Sequence, residues 1–451
     1  MCPIYFGNAP TSYPVPPCGK FVAGGGGGLP ARAVEHYKNI MAKMNLQEKL
    51  AVLSDAAKYD ASCASSGTTR RNSAGGKGLG STEGSGICHA YTPDGRCISL
   101  LKILMTNFCI YDCAYCINRV SSQVQRARFT VEEVVHLTTE FYRRNYIEGL
   151  FLSSGIIKSP DDTMADMVRI ARELREVHHF RGYIHLKTIP DASPELIEQA
   201  GLFADRLSMN VELPTDAGLK AYAPEKDAGE IRRAMGRVHE RKQAAKERTH
   251  SGKRADKFAP AGQSTQLIVG ADGANDATIL DSSTRLYSNY KLKRVYYSAF
   301  SPIPDSTAAL PLIKPPLMRE HRLYQADWLL RFYGYEAGEI ASATTGGMLD
   351  LEIDPKLAWA LANRHLFPVD INRAGKEMLL RVPGFGTKSV GRILSARRSG
   401  ALGYGDLTRI GALVNKAKPF IVTRDWSPGS MTDAANLRAR FAPKPQQLSL
   451  L

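Results

Sequence analysis

Apolar and amphipathic segments alternate along the chain from residue 98 onward, a pattern typical of the strands and helices of a parallel sheet. The clearest helix is predicted over Thr130–Tyr146, where apolar residues recur at helical spacing and Thr130 with Glu133 forms a capping box. Six strand–helix units predict an α/β fold. The predicted strands are Ile98–Leu104, Gly149–Leu152, Gly182–Leu186, Arg206–Leu213, Gln266–Val269 and Val295–Phe300.

The fourth predicted strand has a polar face. Ser208, Asn210 and Glu212 alternate with apolar residues, so a period of two puts the three polar side chains together. Because helices cover the outside of a barrel, we expect this face to line a wet or ligand-filled interior. His185 and Lys187 on the third strand either line the same cavity or mark a strand end that reaches solvent.

Composition predicts the flanking regions. The start of the chain is rich in proline and has five consecutive glycines, so it cannot bury enough apolar surface to fold. A glycine- and serine-rich insert has the same character. The predicted organisation is a disordered extension (1–43), an N-terminal segment (44–97) with a disordered insert (65–85), a barrel (98–345), a small all-α domain (355–425) and a disordered tail (426–451).

Bulk properties restrict the classes of protein. No apolar run approaches the length of a membrane span, and the first residues lack the apolar core of a signal peptide, so a cytoplasmic protein is predicted. Cysteines that stay reduced suit that compartment. The net charge of +15 and the pI near 9.4 favour a polyanionic partner.

Three cysteines directly after the first predicted strand carry the candidate chemistry. Cys109, Cys113 and Cys116 have the spacing C-x3-C-x2-C, and thiolates this close can ligate three irons of a 4Fe–4S cube. The fourth iron then lacks a protein ligand, which is the mark of a catalytic site. Structural zinc is the alternative, but it needs four ligands, usually in two pairs, and no second pair follows.

This motif, with Tyr115 before its third cysteine, resembles that of the radical S-adenosylmethionine (SAM) superfamily. The resemblance implies a partial (β/α)6 TIM-like barrel, a 4Fe–4S cluster whose open iron binds SAM, and a 5′-deoxyadenosyl radical that abstracts hydrogen from a substrate. It also implies an electron donor such as flavodoxin or ferredoxin. The residues that it implies for cofactor binding are Tyr115, Ser153, Ser154, Gly155, Ser208, Asn210, Glu212 and Gln266.

One of these positions departs from the superfamily pattern. The second strand usually ends in a Gly-Gly-Glu-like turn that meets the amino group of the cofactor, whereas this chain has Ser153-Ser154-Gly155. The backbone can still approach closely, but the acidic side chain is absent.

Three further cysteines, Cys63, Cys88 and Cys97, precede the motif. They are candidate ligands of a second metal site or cluster. The alternative is that they fill the core, since free cysteine is among the most buried residue types.

The segment 379–393 resembles a helix-hairpin-helix element. Gly384 and Gly386 flank Phe385 in a tight turn, which lets backbone N–H groups approach a phosphate. Lys388 and Arg392 add positive charge. The segment therefore predicts DNA binding without sequence specificity, with an ordinary helical hairpin as the alternative.

The last five residues resemble the bacterial sliding-clamp-binding motif. A polar anchor followed by apolar side chains on a flexible tail suits an apolar groove on the clamp. The residues are Gln447, Leu448, Ser449, Leu450 and Leu451.

Residues 45–425 together resemble a bacterial radical SAM family assigned to DNA modification or repair, often paired with a uracil-DNA-glycosylase-like protein. The similarity is carried by segments such as GICHAYTPDGRC and YIEGLFLSSG. We therefore predict a radical enzyme that acts on DNA. An RNA-modifying radical enzyme and a clamp-tethered DNA-binding adaptor with a structural or redox-sensing cluster are the alternatives.

Overall fold

The structure is a computed structural model that describes residues 44–57, 87–91, 97–250, 257–303 and 310–442. The described residues from Asn45 onward form one compact unit. None of the described helices is long and apolar enough to cross a membrane. The predictions that fall outside the described residues are those for the extension (1–43), the insert (65–85), Cys63 and the terminal pentapeptide (447–451).

A curled, partly closed sheet organises the first part of the chain, and its strand order follows the sequence. The first strand is antiparallel to the second, and the other five follow in parallel, which confirms the predicted α/β partial barrel. The strands of this sheet in the described residues are β1 (Ile87–Tyr91), β2 (Cys97–Leu104), β3 (Gly149–Ser153), β4 (Tyr183–Lys187), β5 (Arg206–Ser208), β6 (Gly262–Val269) and β7 (Arg294–Ala299).

Helices pack on the outer face of the sheet, and the core lies between the two layers. Leu150, Ile184 and Leu207 lie on three consecutive strands, face the helices and are fully buried. Such burial contributes about 2 kcal/mol for each side chain. The helices of this region are α1 (Leu46–Ala56), α2 (Val131–Arg143), α3 (Pro160–Glu176), α4 (Pro194–Phe203), α5 (Asp216–Tyr222), α6 (Ala228–His250), α7 (Asp276–Tyr290) and α8 (Leu317–Phe332).

Two strand predictions need correction. β1 was not predicted, because its short sequence does not indicate a strand. Its antiparallel pairing with β2 stabilises it as one. The strand predicted over Arg206–Leu213 ends at Ser208. Glu212 has a left-handed backbone with φ of 64°, so the chain turns there and rejoins the sheet by a single bridge to Leu267.

A helical region follows α8. Two pairs of short helices are each joined by a turn that contains a glycine with positive φ, Gly384 in the first pair and Gly411 in the second. Its elements are α9 (Ala337–Ala341), α10 (Pro355–Ala362), β8 (Val369–Asp370), α11 (Lys376–Arg381), α12 (Thr387–Ala396), α13 (Tyr404–Ile410), α14 (Val414–Ala417) and β9 (Ile421–Val422).

The predicted start of the disordered tail at residue 426 is wrong. Residues 426–442 pack on the helical region, because Leu437 is fully buried and the hydroxyl of Thr432 donates to the carbonyl of Pro419. The guanidinium of Arg438 also lies 2.7 Å from the carboxylate of Asp350. The apolar and ionic contacts of this segment outweigh its polar composition.

Candidate active site

The three cysteines of the motif lie on the loop that leaves β2 at the carboxyl end of the sheet. Cys113 is buried, whereas Cys109 and Cys116 are half-buried. Burial raises the pKa of Cys113 to about 12, the charge of Lys226 opposes this rise, and the other two thiols add to it. The thiols are thus close enough to affect one another, yet in the described part of the chain no three potential ligands converge as a single-ion site.

Backbone hydrogen bonds fix this loop from two sides. The N–H of Ile110 donates to the carbonyl of Ile156 at 2.8 Å, which ties the loop to the segment after β3. The N–H of Ala114 donates to the carbonyl of Tyr222 at 2.7 Å, at the end of α5. The cysteines are therefore held in place by neighbouring strand–helix units.

Arg126 closes the loop from within. Its buried guanidinium donates to the carbonyls of Asn118 (2.9 Å), Arg119 (2.6 Å) and Ser122 (3.0 Å). One side chain thus satisfies several carbonyls that have no partner in a helix or strand, as buried backbone requires. Beside them, the N–H of Asn118 donates to the sulfur of Cys116 at 3.4 Å, and this contact favours the thiolate.

The turn after β3 lies directly against the cysteine loop. A Cβ on Gly155 would lie 2.1 Å from the carbonyl oxygen of Phe108 and 3.4 Å from the Cβ of Cys109, so only glycine fits. The hydroxyl of Ser154 donates to the carbonyl of Gly155. The structure therefore places the Ser153-Ser154-Gly155 turn against the loop that carries the thiols.

The polar residues after β5 form a network above the sheet. Ser208, Asn210, Glu212 and Gln266 are all buried. The amide of Asn210 donates to the carboxylate of Glu212 at 3.5 Å and to the carbonyl of Gln266 at 3.3 Å. The predicted polar face is therefore inside the protein, although Asn210 and Glu212 reach it from the turn beyond β5.

Lys226 completes this network. Its ammonium lies 2.7 Å from the carboxylate of Glu212 and 5.9 Å from the ring centre of Tyr115. Burial alone would lower the pKa of Lys226. The charges of Glu212 and of the neighbouring acidic groups have the larger effect and raise this pKa above its usual value, so the lysine stays charged. A fixed positive charge thus lies beside the cysteine loop.

These residues fit the cofactors that the motif implies. Three thiols on one loop match three corners of a cube. The hydroxyls of Ser153, at the end of β3, and Ser264, in β6, are buried with no hydrogen-bond partner in the protein. Buried polar atoms without partners are rare in proteins, and they indicate a site built for a polar ligand.

The two other predicted metal ligands that the structure describes, Cys88 and Cys97, lie apart. Cys88 lies in an apolar cluster with Ile98, Leu100 and Phe151, whereas Cys97 is exposed. In the β1–β2 hairpin Cys88 pairs with Leu100 and Cys97 pairs with Tyr91, so the two cysteines are three residues apart along the strands. That separation is about 10 Å. The geometry of these two thiols does not favour a shared metal.

The predicted helix, glycine turn and helix at 379–393 are present as α11 and α12, but the turn packs against the protein. Phe385 is buried, and a Cβ on Gly384 would lie 2.5 Å from the carbonyl of Leu413. The N–H of Gly386 donates to the hydroxyl of Ser389 at 2.8 Å. Groups that were predicted to meet a phosphate therefore have partners within the chain.

The exposed basic groups lie beside this turn. Lys388 and Arg392 line an open cleft of about 710 Å³ between α12 and α13, and Arg409 lines its other wall. A guanidinium N–H of Arg392 donates to the carbonyl of Ile410 at 2.8 Å, across the cleft. Arg409 was not predicted, because only the fold places it opposite Lys388.

Lys226 and Arg126 were also missed. Lys226 lies in a polar turn, and no spacing links it to Glu212 or to the cysteines. Arg126 lies in a basic stretch that reads as solvent-exposed. A signal for Arg126 does exist, since a long loop with few regular elements needs a donor for its buried carbonyls.

The barrel and the three thiols on the loop after β2 fit the radical SAM class of iron–sulfur enzymes. Residues 103–286 match the family model of the Radical SAM superfamily. This segment belongs to that superfamily, whose members are enzymes that use a 4Fe–4S cluster and S-adenosylmethionine. The match covers less than half of the chain and ends before α8.

Solved structures of other enzymes are similar to part of the chain. They include the [FeFe]-hydrogenase maturase HydG (14% identity, 50% of this chain and 48% of that chain, TM-score 0.38). Another is HydG from Carboxydothermus hydrogenoformans (15% identity, 51% of this chain and 49% of that chain, TM-score 0.39). A third is methylornithine synthase PylB (12% identity, 66% of this chain and 72% of that chain, TM-score 0.38). The chain spans about half the length of the two maturases. No curated protein matches the chain.

Proposed function

We propose that this radical SAM enzyme acts on DNA. The observation that carries the proposal is the cleft between α12 and α13, where Lys388, Arg392 and Arg409 present positive charge in the same compact unit as the barrel. Cationic side chains along a groove are the usual means of binding a phosphate backbone. The net charge of +15 and the family resemblance support the same substrate.

The residues of the barrel have separate roles in this proposal. Cys109, Cys113 and Cys116 hold the cluster, and Ser153 and Ser264 supply hydroxyls to the cofactor or the substrate. When bound and reduced, the cluster and S-adenosylmethionine supply a 5′-deoxyadenosyl radical. The reacting base or deoxyribose has to leave the duplex, or arrive in a single strand, to enter the barrel.

Partners are part of the proposal as well. A flavodoxin or ferredoxin would deliver the electron, and a uracil-DNA-glycosylase-like protein would act with this enzyme on the same DNA. Binding to the sliding clamp through the terminal pentapeptide remains a prediction, since that segment lies outside the described residues.

The test is anaerobic incubation of the reconstituted protein with a reductant, S-adenosylmethionine and uniformly deuterated DNA. Deuterium in the 5′-deoxyadenosine that forms would support abstraction from DNA. If the 5′-deoxyadenosine formed with deuterated DNA carries no label, but that formed with deuterated tRNA does, the substrate is RNA and not DNA. No 5′-deoxyadenosine under any condition would favour the adaptor.

A further inference from the structure

Cationic side chains line the cleft along its length, which favours the binding of an anion. Lys388 and Arg392 are four residues apart and therefore share one face of α12, opposite Arg409 on α13. Between the two cations lies Gly391, where a Cβ would have no neighbour within 4 Å, so the floor between the charges is open. The residues that line the cleft include no acid, although the guanidinium of Arg409 also lies 3.5 Å from the carboxylate of Asp406.

This cleft and the barrel mouth lie at opposite ends of α8. At the first end, the carboxylate of Glu320 accepts the N–H of Ala299 at 2.9 Å, where β7 finishes. At the second end, the guanidinium of Arg331 donates to the carbonyl of Lys293 at 3.0 Å, just before β7 begins. The cysteine loop leaves β2 at the first end, where β7 also finishes.

The cleft belongs to the second end. Tyr333 follows α8 directly, and its hydroxyl lies 3.7 Å from the Cβ position of Gly386 and accepts the N–H of Thr387, the first residue of α12. The 16 residues of α8 cover about 24 Å. Duplex DNA advances by about 3.4 Å along its axis for each base pair, so this distance corresponds to about seven base pairs.

From this separation we propose that the cleft binds the phosphate backbone of the same DNA duplex whose nucleotide reacts in the barrel, at least about seven base pairs away from it. This inference rests on the proposed function and narrows it. The substrate is a polymer that bridges both sites, and a nucleotide or a dinucleotide cannot replace it.

The test is a length series of DNA duplexes from about 4 to about 24 base pairs, each closed by a hairpin loop, since the series has to cross the bridging length. Affinity is measured by fluorescence anisotropy, and 5′-deoxyadenosine formation is measured with the reconstituted, reduced enzyme. We expect both to rise steeply once the length exceeds about eight base pairs. Arg392→Gln and Arg409→Gln should each weaken binding of the long oligonucleotides about tenfold and lower the salt slope by about one.

Arg373→Gln is the matched control, because Arg373 has an 89% exposed side chain and is not among the residues that line the cleft. It should leave the length profile unchanged, and all variants should bind the shortest oligonucleotides as the wild type does. Short oligonucleotides as effective as long ones, or unchanged binding in Arg392→Gln and Arg409→Gln, would overturn the inference and leave DNA as the substrate. Absence of binding and of stimulation at every length would overturn the proposed function itself.

Discussion

Lys226 reaches back 14 residues to Glu212, and its ammonium lies 2.7 Å from the carboxylate. The pair joins the turn after β5 to the segment after α5, next to the half-buried ring of Tyr115 in the cysteine loop. Because only 9% of the Glu212 side chain is exposed, the carboxylate has little access to water in the folded protein. The pair thus links the polar network to the loop that carries the thiols.

Removing one member of this pair should be costly. Lys226→Met leaves the charge of Glu212 buried without its counter-ion, and we expect a loss of about 3 kcal/mol in the free energy of unfolding. Urea denaturation measures it. The double variant with Glu212→Gln should recover much of the loss. Arg232→Gln, which breaks an exposed ion pair with Asp216, should cost less than about 1 kcal/mol.

Iron content tests the assignment of the cluster ligands. Each of Cys109→Ala, Cys113→Ala and Cys116→Ala should lose the roughly four irons that anaerobic reconstitution gives the wild type. Cys97→Ala is the control, because Cys97 is exposed at the start of β2 and should not be needed. Full iron content in any of the first three variants would exclude that thiol as a ligand.

The contact between the cysteine loop and the turn after β3 can be tested by replacing Gly155. Gly155→Ala places a Cβ against the carbonyl of Phe108, so the cysteine loop has to move and iron retention should fall. Gly236→Ala, within α6, meets nothing within 4 Å and should stabilise the protein by about 0.5–1 kcal/mol. Thermal unfolding and iron analysis of both variants distinguish local displacement from a general effect of alanine.

The helical region should respond to pH through Lys356. Burial lowers the pKa of this lysine from 10.5 to about 7, and its amine donates to the carbonyl of Phe385 in the glycine turn. Between pH 7 and 10.5 the unfolded lysine holds a proton that the folded one has released, so stability should rise with pH. Below pH 7 both forms are charged and this contribution is constant.

Lys356→Met should therefore flatten that rise, measured by urea denaturation between pH 6 and pH 10. Arg373→Met is the control, because it removes a cationic side chain that is 89% exposed. A difference between wild type and Lys356→Met that did not change with pH would mean that the buried amine remains charged.

Much of the barrel could be predicted, because buried parallel strands are continuous apolar runs between turns. The predicted strand at Gly149–Leu152 and the observed β3 differ by one residue. The helix predicted as far as Tyr146 ends at Arg143, since Asn145 takes a left-handed backbone with φ of 58°. Such boundaries depend on tertiary contacts more than on periodicity.

The parts of the site that were missed depend on the path of the chain. Nothing in the sequence near Lys226 indicates that it approaches Glu212, and the partner of the Thr387 N–H is Tyr333, more than fifty residues earlier. The motif could identify the thiols, whose chemistry depends on local spacing. It could not identify the residues that hold the loop, since those contacts form only when neighbouring strand–helix units pack.

The order of the strands has a consequence for biosynthesis. Among the hydrogen bonds that fix the cysteine loop are those from Ala114 to Tyr222 and from Asp112 to Glu225, which lie in the first half of the chain. Since domains fold from the N-terminal side as the chain leaves the ribosome, these supports emerge well before the basic cleft is translated. A nascent chain can thus receive its iron before it acquires the means to hold DNA.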